Sequence, residues 1–134
     1  NEDISALAAR RNFMKITNKA GVWGEVFAAR YLREHGYEIV TANFRTRIGE
    51  IDLIAKKDKY MCFIEVKARS PESWYEPREA VDLVKQNKII GTAKIFDRAY
   101  THKLNHRFDV CEVILDKDFK PISLNYIENA FGEA

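Results

Sequence analysis

Gly49-Glu50-Ile51-Asp52-Leu53-Ile54 and, a few residues on, Tyr60-Met61-Cys62-Phe63-Ile64-Glu65-Val66-Lys67 are two apolar runs that each carry charge. Runs this apolar form core strands, and a core strand does not hold charge without a partner. Side chains alternate along a strand, so Glu65 and Lys67 share one face, about 7 Å apart along the chain. If the runs pair through the short turn Lys56-Lys57-Asp58-Lys59, Asp52 reaches the same face. Two carboxylates and an ammonium meeting at a strand end suit a hard divalent cation and a phosphate.

Outward from this pair, the chain reads as alternating helix and strand. A helix is expected over 19–35, closed by Gly36, and a strand over 37–43. The hairpin strands follow over 51–56 and 60–68. A loop with two prolines and the aromatics Trp74 and Tyr75 leads to a long helix over 78–100, and two final strands lie over 108–115 and 123–127. The order α-β-β-β-α-β-β, without repeat or linker, predicts one α/β domain over 19–131. Residues 1–18 read as an extension with a short helix over 3–12.

Two helical residues break an apolar face. Glu25 shares its stripe with Gly21, Ala28, Ala29 and Leu32, a small surface suited to close packing on a sheet. A carboxylate there is costly unless a cation meets it, although a half-exposed Glu whose head reaches water is the simpler reading. Gln86 is the one polar member of the stripe Leu83, Ile89, Ile90, Ala93, Phe96 and Tyr100, and could serve only to bond a backbone carbonyl. Lys85 and Lys88 lie along the edge of that stripe.

With 134 residues, 46% hydrophobic and 31% charged, the chain is an ordinary globular length and composition. Its 22 basic and 20 acidic residues nearly cancel, so bulk charge selects no partner. Distribution says more, because Arg45, Arg47, Lys67, Arg69, Arg78, Lys85 and Lys88 all flank the charged strand ends. Cys62 and Cys111 sit in apolar runs and read as buried free thiols. His102 and His106 read as part of a polar loop rather than a metal site. No apolar run approaches 18 residues and no signal-peptide core is present, so a cytoplasmic protein without membrane contact is expected.

Several spaced blocks resemble a known family. Gly21-x-x-Gly24-Glu25-x-x-Ala28, Asn43-x-Arg45, Gly49-Glu50-Ile51-Asp52-Leu53-Ile54, Glu65-Val66-Lys67-x-Arg69, Ala80-Val81-x-x-x-Lys85-Gln86, Arg107-Phe108-Asp109-Val110 and Ile127-Glu128-Asn129-Ala130-Phe131 are similar to the bacterial YraN-like family. That family is placed in the restriction-endonuclease-like superfamily, whose nucleases carry a PD-(D/E)xK motif and whose members include Holliday-junction resolvases. Ile51 stands where the motif has its proline. The resemblance implies a central mixed β-sheet flanked by helices. It implies Asp52, Glu65 and the carbonyl of Val66 as Mg²⁺ ligands, with Mn²⁺ as a substitute. Lys67 would contact the attacked phosphate or the water, Glu25 would be a further carboxylate of the site, and Gln86 an auxiliary contact. Arg45, Arg47, Arg69, Lys85 and Lys88 would meet nucleic acid.

The function expected is therefore a Mg²⁺-dependent endonuclease acting on DNA, with branched or damaged forms as candidates. A nucleic-acid-binding module with this fold, or a structural adaptor built around a salt-bridge network, are the alternatives; a homodimer is left open.

Overall fold

Lys19 to Glu34 form helix α1, and its end is set by local chemistry. Gly36 adopts φ +82°, a left-handed conformation that a Cβ disfavours, and Tyr37 N–H turns back to the Leu32 carbonyl at 2.9 Å. The computed structural model describes residues 19–72 and 81–133; the helix expected over 3–12, the aromatics Trp74 and Tyr75, and Arg78 lie outside them. After the turn come β1 (Glu38–Arg45), β2 (Glu50–Lys57), β3 (Tyr60–Arg69), α2 (Leu83–Ala99), β4 (Asn105–Leu115) and β5 (Pro121–Phe131). The order α-β-β-β-α-β-β is the one expected, and the five strands form one mixed sheet in the order β1-β2-β3-β4-β5. Only the β3–β4 pair is parallel, and α2 supplies the crossover that a parallel pair needs.

Alternation along the strands sorts the core into two layers. Leu53, Cys62, Ile64, Cys111 and Val113 pack with Ala28, Ala29 and Leu32 on the α1 side. Ile54, Met61, Phe63, Phe108 and Val110 pack with Ile89, Ala93 and Phe96 on the α2 side. By the same alternation Glu65 and Lys67 face α2. Both cysteines are free and buried. Cys62 sits opposite Arg107, four residues before Cys111, so the two thiols are separated along the ladder by about 13 Å.

Three boundaries differ from the sequence reading by more than two residues. The second helix begins at Leu83, because Asp82 is extended and caps it through Lys85 N–H at 2.9 Å. Strand β4 starts at Asn105, three residues early, because Asn105 N–H bonds Lys59 O and the parallel ladder continues from there. Polar Asn105, His106 and Arg107 hide this in the sequence. Strand β5 runs on to Phe131 past a bulge at Asn129, whose φ of +52° is one that Asn tolerates.

Gly24 brings α1 down onto the sheet. A Cβ built there would lie 2.9 Å from Ala68 Cβ and 3.5 Å from Val66. Neither neighbour is a flexible tip, so Gly24→Ala is expected to destabilise by about 1–3 kcal/mol through overpacking, read from urea unfolding midpoints.

Candidate active site

The antiparallel β2–β3 ladder is regular from Lys57↔Tyr60 to Leu53↔Ile64 and stops there. Asp52 and Glu65 are the next residues on each strand, so both stand where the strands part. Past this point β2 continues to pair with β1 as far as Glu50, and β3 with β4 as far as Arg69. The divergence leaves the Val66 amide without a strand partner, and Asp52 Oδ2 accepts it at 2.8 Å. That bond fixes the Asp52 carboxylate beside Glu65. Val66 thus enters the site through its N–H, which orients Asp52.

Both carboxylates are buried, Glu65 to 3% exposure. Burial is the largest influence on Asp52 and holds its carboxyl well above the usual range; the charge of Glu65, a hydrogen bond to Glu65 and the charge of Glu25 add to this. Burial also pulls Glu65 upward, but the hydrogen bond from Asp52 and the ammonium of Lys85 outweigh it and leave Glu65 below its ordinary value. Of the two, Asp52 is therefore the carboxyl that gives up its proton less readily and Glu65 the more acidic one. Glu25, itself buried on α1, acts on Asp52 more weakly than Glu65 does, as expected for a carboxylate further off.

Two ammoniums face this pair. Lys67 Nζ is 3.8 Å from Glu65 Oε2, and Lys85 Nζ makes a closer ion pair with the same oxygen. Burial is the main cause that holds Lys67 below the ordinary ammonium value; Glu65 opposes it and Lys85 adds to it. Lys85 is raised, because Glu65 more than offsets its desolvation. The sequence placed Lys85 among contacts to nucleic acid and gave no sign that it touches Glu65. The Asp82 cap fixes the first turn of α2, and Lys85, the third residue of that turn, is carried onto Glu65 by the packing of α2 against the sheet. Gln86 donates Nε2 to the Val81 carbonyl at 2.8 Å, the backbone contact that was its simpler reading.

Of the basic residues expected to meet nucleic acid, Arg45, Arg47 and Lys88 are exposed. Arg45 pairs with Glu50 at 2.9 Å, and the turn between β1 and β2 is knotted by Thr46, whose Oγ1 accepts Ile48 N–H at 3.1 Å. Gly49 sits against Lys88 and Thr92, so this turn and α2 form one basic rim. Arg69 departs from the expectation. Its side chain is buried and ion-paired with Glu112, which removes it from any surface that a phosphate could reach.

The segment read as a polar loop around His102 and His106 is more organised. Asp97 Oδ1 lies 2.7 Å from His102 Nε2, and its Oδ2 lies 2.6 Å from His106 Nε2. Among the described residues these are the one group of three potential ligands whose donor atoms lie within 4.8 Å of one another. Leu104 N–H, however, donates to His102 Nδ1 at 3.0 Å, which places the ring proton on Nε2. A metal held at Nε2 would need that lone pair and a proton on Nδ1, so the cluster is a hydrogen-bonded latch from α2 to β4.

Opposite the site, on the α1 side, a second polar network was legible in sequence only as the block Arg107-Phe108-Asp109-Val110. Asp109 is fully buried and accepts from Arg107 Nε (3.0 Å), Arg107 NH2 (2.9 Å), Tyr126 OH (2.6 Å) and Asn129 N–H (2.9 Å). Arg107 also donates to Tyr37 OH at 2.6 Å. Burial and Asp109 together push the Cys62 thiol up to about 12, which makes it inert.

Fold and site together define an α/β protein with a mixed sheet, a carboxylate pair at the point where two strands part, and two lysines facing it. Residues 24–113 match the profile described as Uncharacterised protein family UPF0102, and the chain belongs to that family. A UPF0102 protein of Clostridium acetobutylicum is 43% identical over 118 residues, covering 87% of this chain and 97% of the relative. One from Acetivibrio thermocellus is 42% identical over 127 residues, covering 87% and 98%. Another, from Clostridium botulinum, is 44% identical over 113 residues, covering 83% and 92%.

Among the described residues, no helix is long and apolar enough to cross a membrane.

Proposed function

We propose that the protein is a divalent-metal-dependent endonuclease acting on DNA, with Asp52 and Glu65 holding Mg²⁺ or Mn²⁺. The observation that carries this reading is the pair of buried carboxylates, Asp52 and Glu65, set side by side where the β2–β3 ladder ends. Two carboxylates held together in a mostly buried site repel one another when both are ionised, and a cation between them would relieve that repulsion. The donor set fits: hard oxygens, few in number, with one side open to solvent through the half-exposed lysines. A bound Mg²⁺ would supply the charge that neutralises the attacked phosphate and makes a water more acidic.

The chain's own residues supply the rest. Val66 N–H orients Asp52, and burial excludes competing water from Glu65. Lys67, held as an ammonium next to Glu65, offers its charge to a phosphate oxygen. Glu25 keeps the negative potential of the notch high. Arg45, Arg47 and Lys88 supply the rim along which a phosphate backbone would lie.

Incubation with duplex, single-stranded and branched DNA, in Mg²⁺, Mn²⁺ or EDTA, tests the reading. Cleavage with either metal and none in EDTA is the expected result. Binding of DNA without cleavage under any condition would favour a binding module, and no binding at all would leave a structural adaptor. In EDTA, Arg47→Ala and Lys88→Ala are each expected to lower the slope of log affinity against log salt by about one, and Arg45→Ala by less, because Glu50 already neutralises it.

A further inference from the structure

One atom of the site has two claimants. Glu65 Oε2 is met by the Lys67 ammonium from its own strand and, more closely, by the Lys85 ammonium from α2. The two lysines are not equivalent. Lys67 rises from β3 two residues from Glu65, and its side chain is 24% exposed. Lys85 comes from the first turn of another element, and its side chain is 43% exposed although the oxygen it touches is buried. A four-carbon stem rooted at a helix start and open to solvent can leave without disturbing the sheet.

Resting on the metal-dependent reading above, we propose that Lys85 is a displaceable counter-ion of Glu65. It occupies the metal-facing oxygen when no cation is bound and gives up that oxygen to a divalent cation. Its ammonium then turns to the open side of the notch, where a phosphodiester oxygen is the partner its charge fits. The reason is electrostatic crowding: a dication and an ammonium cannot share one buried carboxylate oxygen without strong repulsion. Lys85 therefore weakens metal binding in the absence of DNA. When DNA gives it another partner that cost disappears, so metal and DNA bind with positive coupling, each raising the affinity of the other by the same factor.

The test measures Mn²⁺ affinity directly, from the electron paramagnetic resonance signal of free Mn²⁺, on the full chain without DNA. Lys85→Met and Lys85→Gln are expected to tighten Mn²⁺ binding by about tenfold, as release of one ammonium contact of ordinary strength would. Lys85→Arg should stay near wild type. Lys88→Met, which removes the same charge one turn further along α2, should change affinity far less. Uncleavable duplex with phosphorothioate linkages should tighten Mn²⁺ binding to wild type and lose most of that effect in Lys85→Met. If Lys85→Met and Lys85→Gln bind Mn²⁺ no tighter than wild type, while Asp52→Asn abolishes binding, the counter-ion role is wrong and the metal site stands. If Lys88→Met tightens binding as much as Lys85→Met, the effect is one of general charge and the proposal fails. If neither wild type nor Lys85→Met binds Mn²⁺, the metal-dependent reading falls and the counter-ion role falls with it.

Discussion

If the protein is the metal-dependent nuclease proposed, Asp52→Asn is expected to leave it folded, to remove the thermal stabilisation expected from Mn²⁺, and to cost more than about 100-fold in cleavage. Loss of a residue that merely supports a ligand costs roughly 10–100-fold, and Asp52 is read as a ligand itself. Asparagine is a close copy of the protonated Asp52: its oxygen can accept Val66 N–H and its amide can donate to Glu65. DNA binding in EDTA should be unchanged where Asp52 keeps its proton and tighter where it is ionised, since asparagine carries no charge to repel phosphates.

The same substitution carries a pH signature. The folded-state pKa of Asp52 is raised above its unfolded value. Its contribution to stability is thus fully present below the ordinary carboxylate pKa of about 4 and is lost as pH rises through the folded value. Asparagine suffers no such loss. Glu65 is shifted the other way, so its contribution is present above its ordinary value and is lost at lower pH. It is retained in the variant and largely cancels from the comparison. Thermal unfolding in EDTA should show the two proteins alike near pH 4 and Asp52→Asn the more stable toward pH 8. A gap that stays flat across this range would mean that the Asp52 carboxyl is not raised in the folded protein. Added Mn²⁺ should reverse the order at pH 8, because cation binding requires Asp52 to release its proton.

Asp109→Ala will be among the most destabilising single changes in the chain, by about 3–5 kcal/mol. It removes the fully buried acceptor of Arg107, Tyr126 and Asn129 and leaves the Arg107 guanidinium with only the longer pair to exposed Glu128, at 3.7 Å. It also cuts the tie between β4 and the bulge at Asn129, on which the last part of β5 depends. Asp109→Asn keeps the shape and should lose less. Denaturant unfolding gives the measure, and the Mn²⁺ response of whatever folded protein remains should be intact, because the network lies across the sheet from Asp52 and Glu65. A mild effect of Asp109→Ala would show that water or rearranged side chains can take over the network.

The restraint on Arg69 follows the same physics. In sequence, Arg69 continues the spacing Glu65-x-Lys67-x-Arg69 and points to the same face. Alternation was right about the face and silent about depth. Lys67 stands at the edge of the notch, while Arg69 is covered and paired with Glu112. Lys85 is the converse case. It reads as a surface lysine on a helix edge, yet a cap at Asp82 and the approach of α2 to β3 bring it onto Glu65. Neither outcome depends on the residue's own neighbours in sequence, so no local pattern could have separated them.

By itself the sequence determined the element order, the two faces of β3, the stop at Gly36, and the membership of Asp52, Glu65 and Lys67 in one constellation. These follow from periodicity, from the cost of burying charge, and from glycine's freedom at positive φ, all of which act over a few residues. The early start of β4 and the long β5 escaped that logic, because their polar residues find partners on other elements: His106 meets Asp97, Arg107 meets Tyr37, and Asn129 of β5 meets Asp109. Tertiary structure alone decided where the β2–β3 ladder ends. Pairing there competes with pairing to β1 and β4, and the strands separate at Asp52 and Glu65. That separation frees the Val66 amide for Asp52, sets the two carboxylates side by side, and leaves the opening that Lys85 fills.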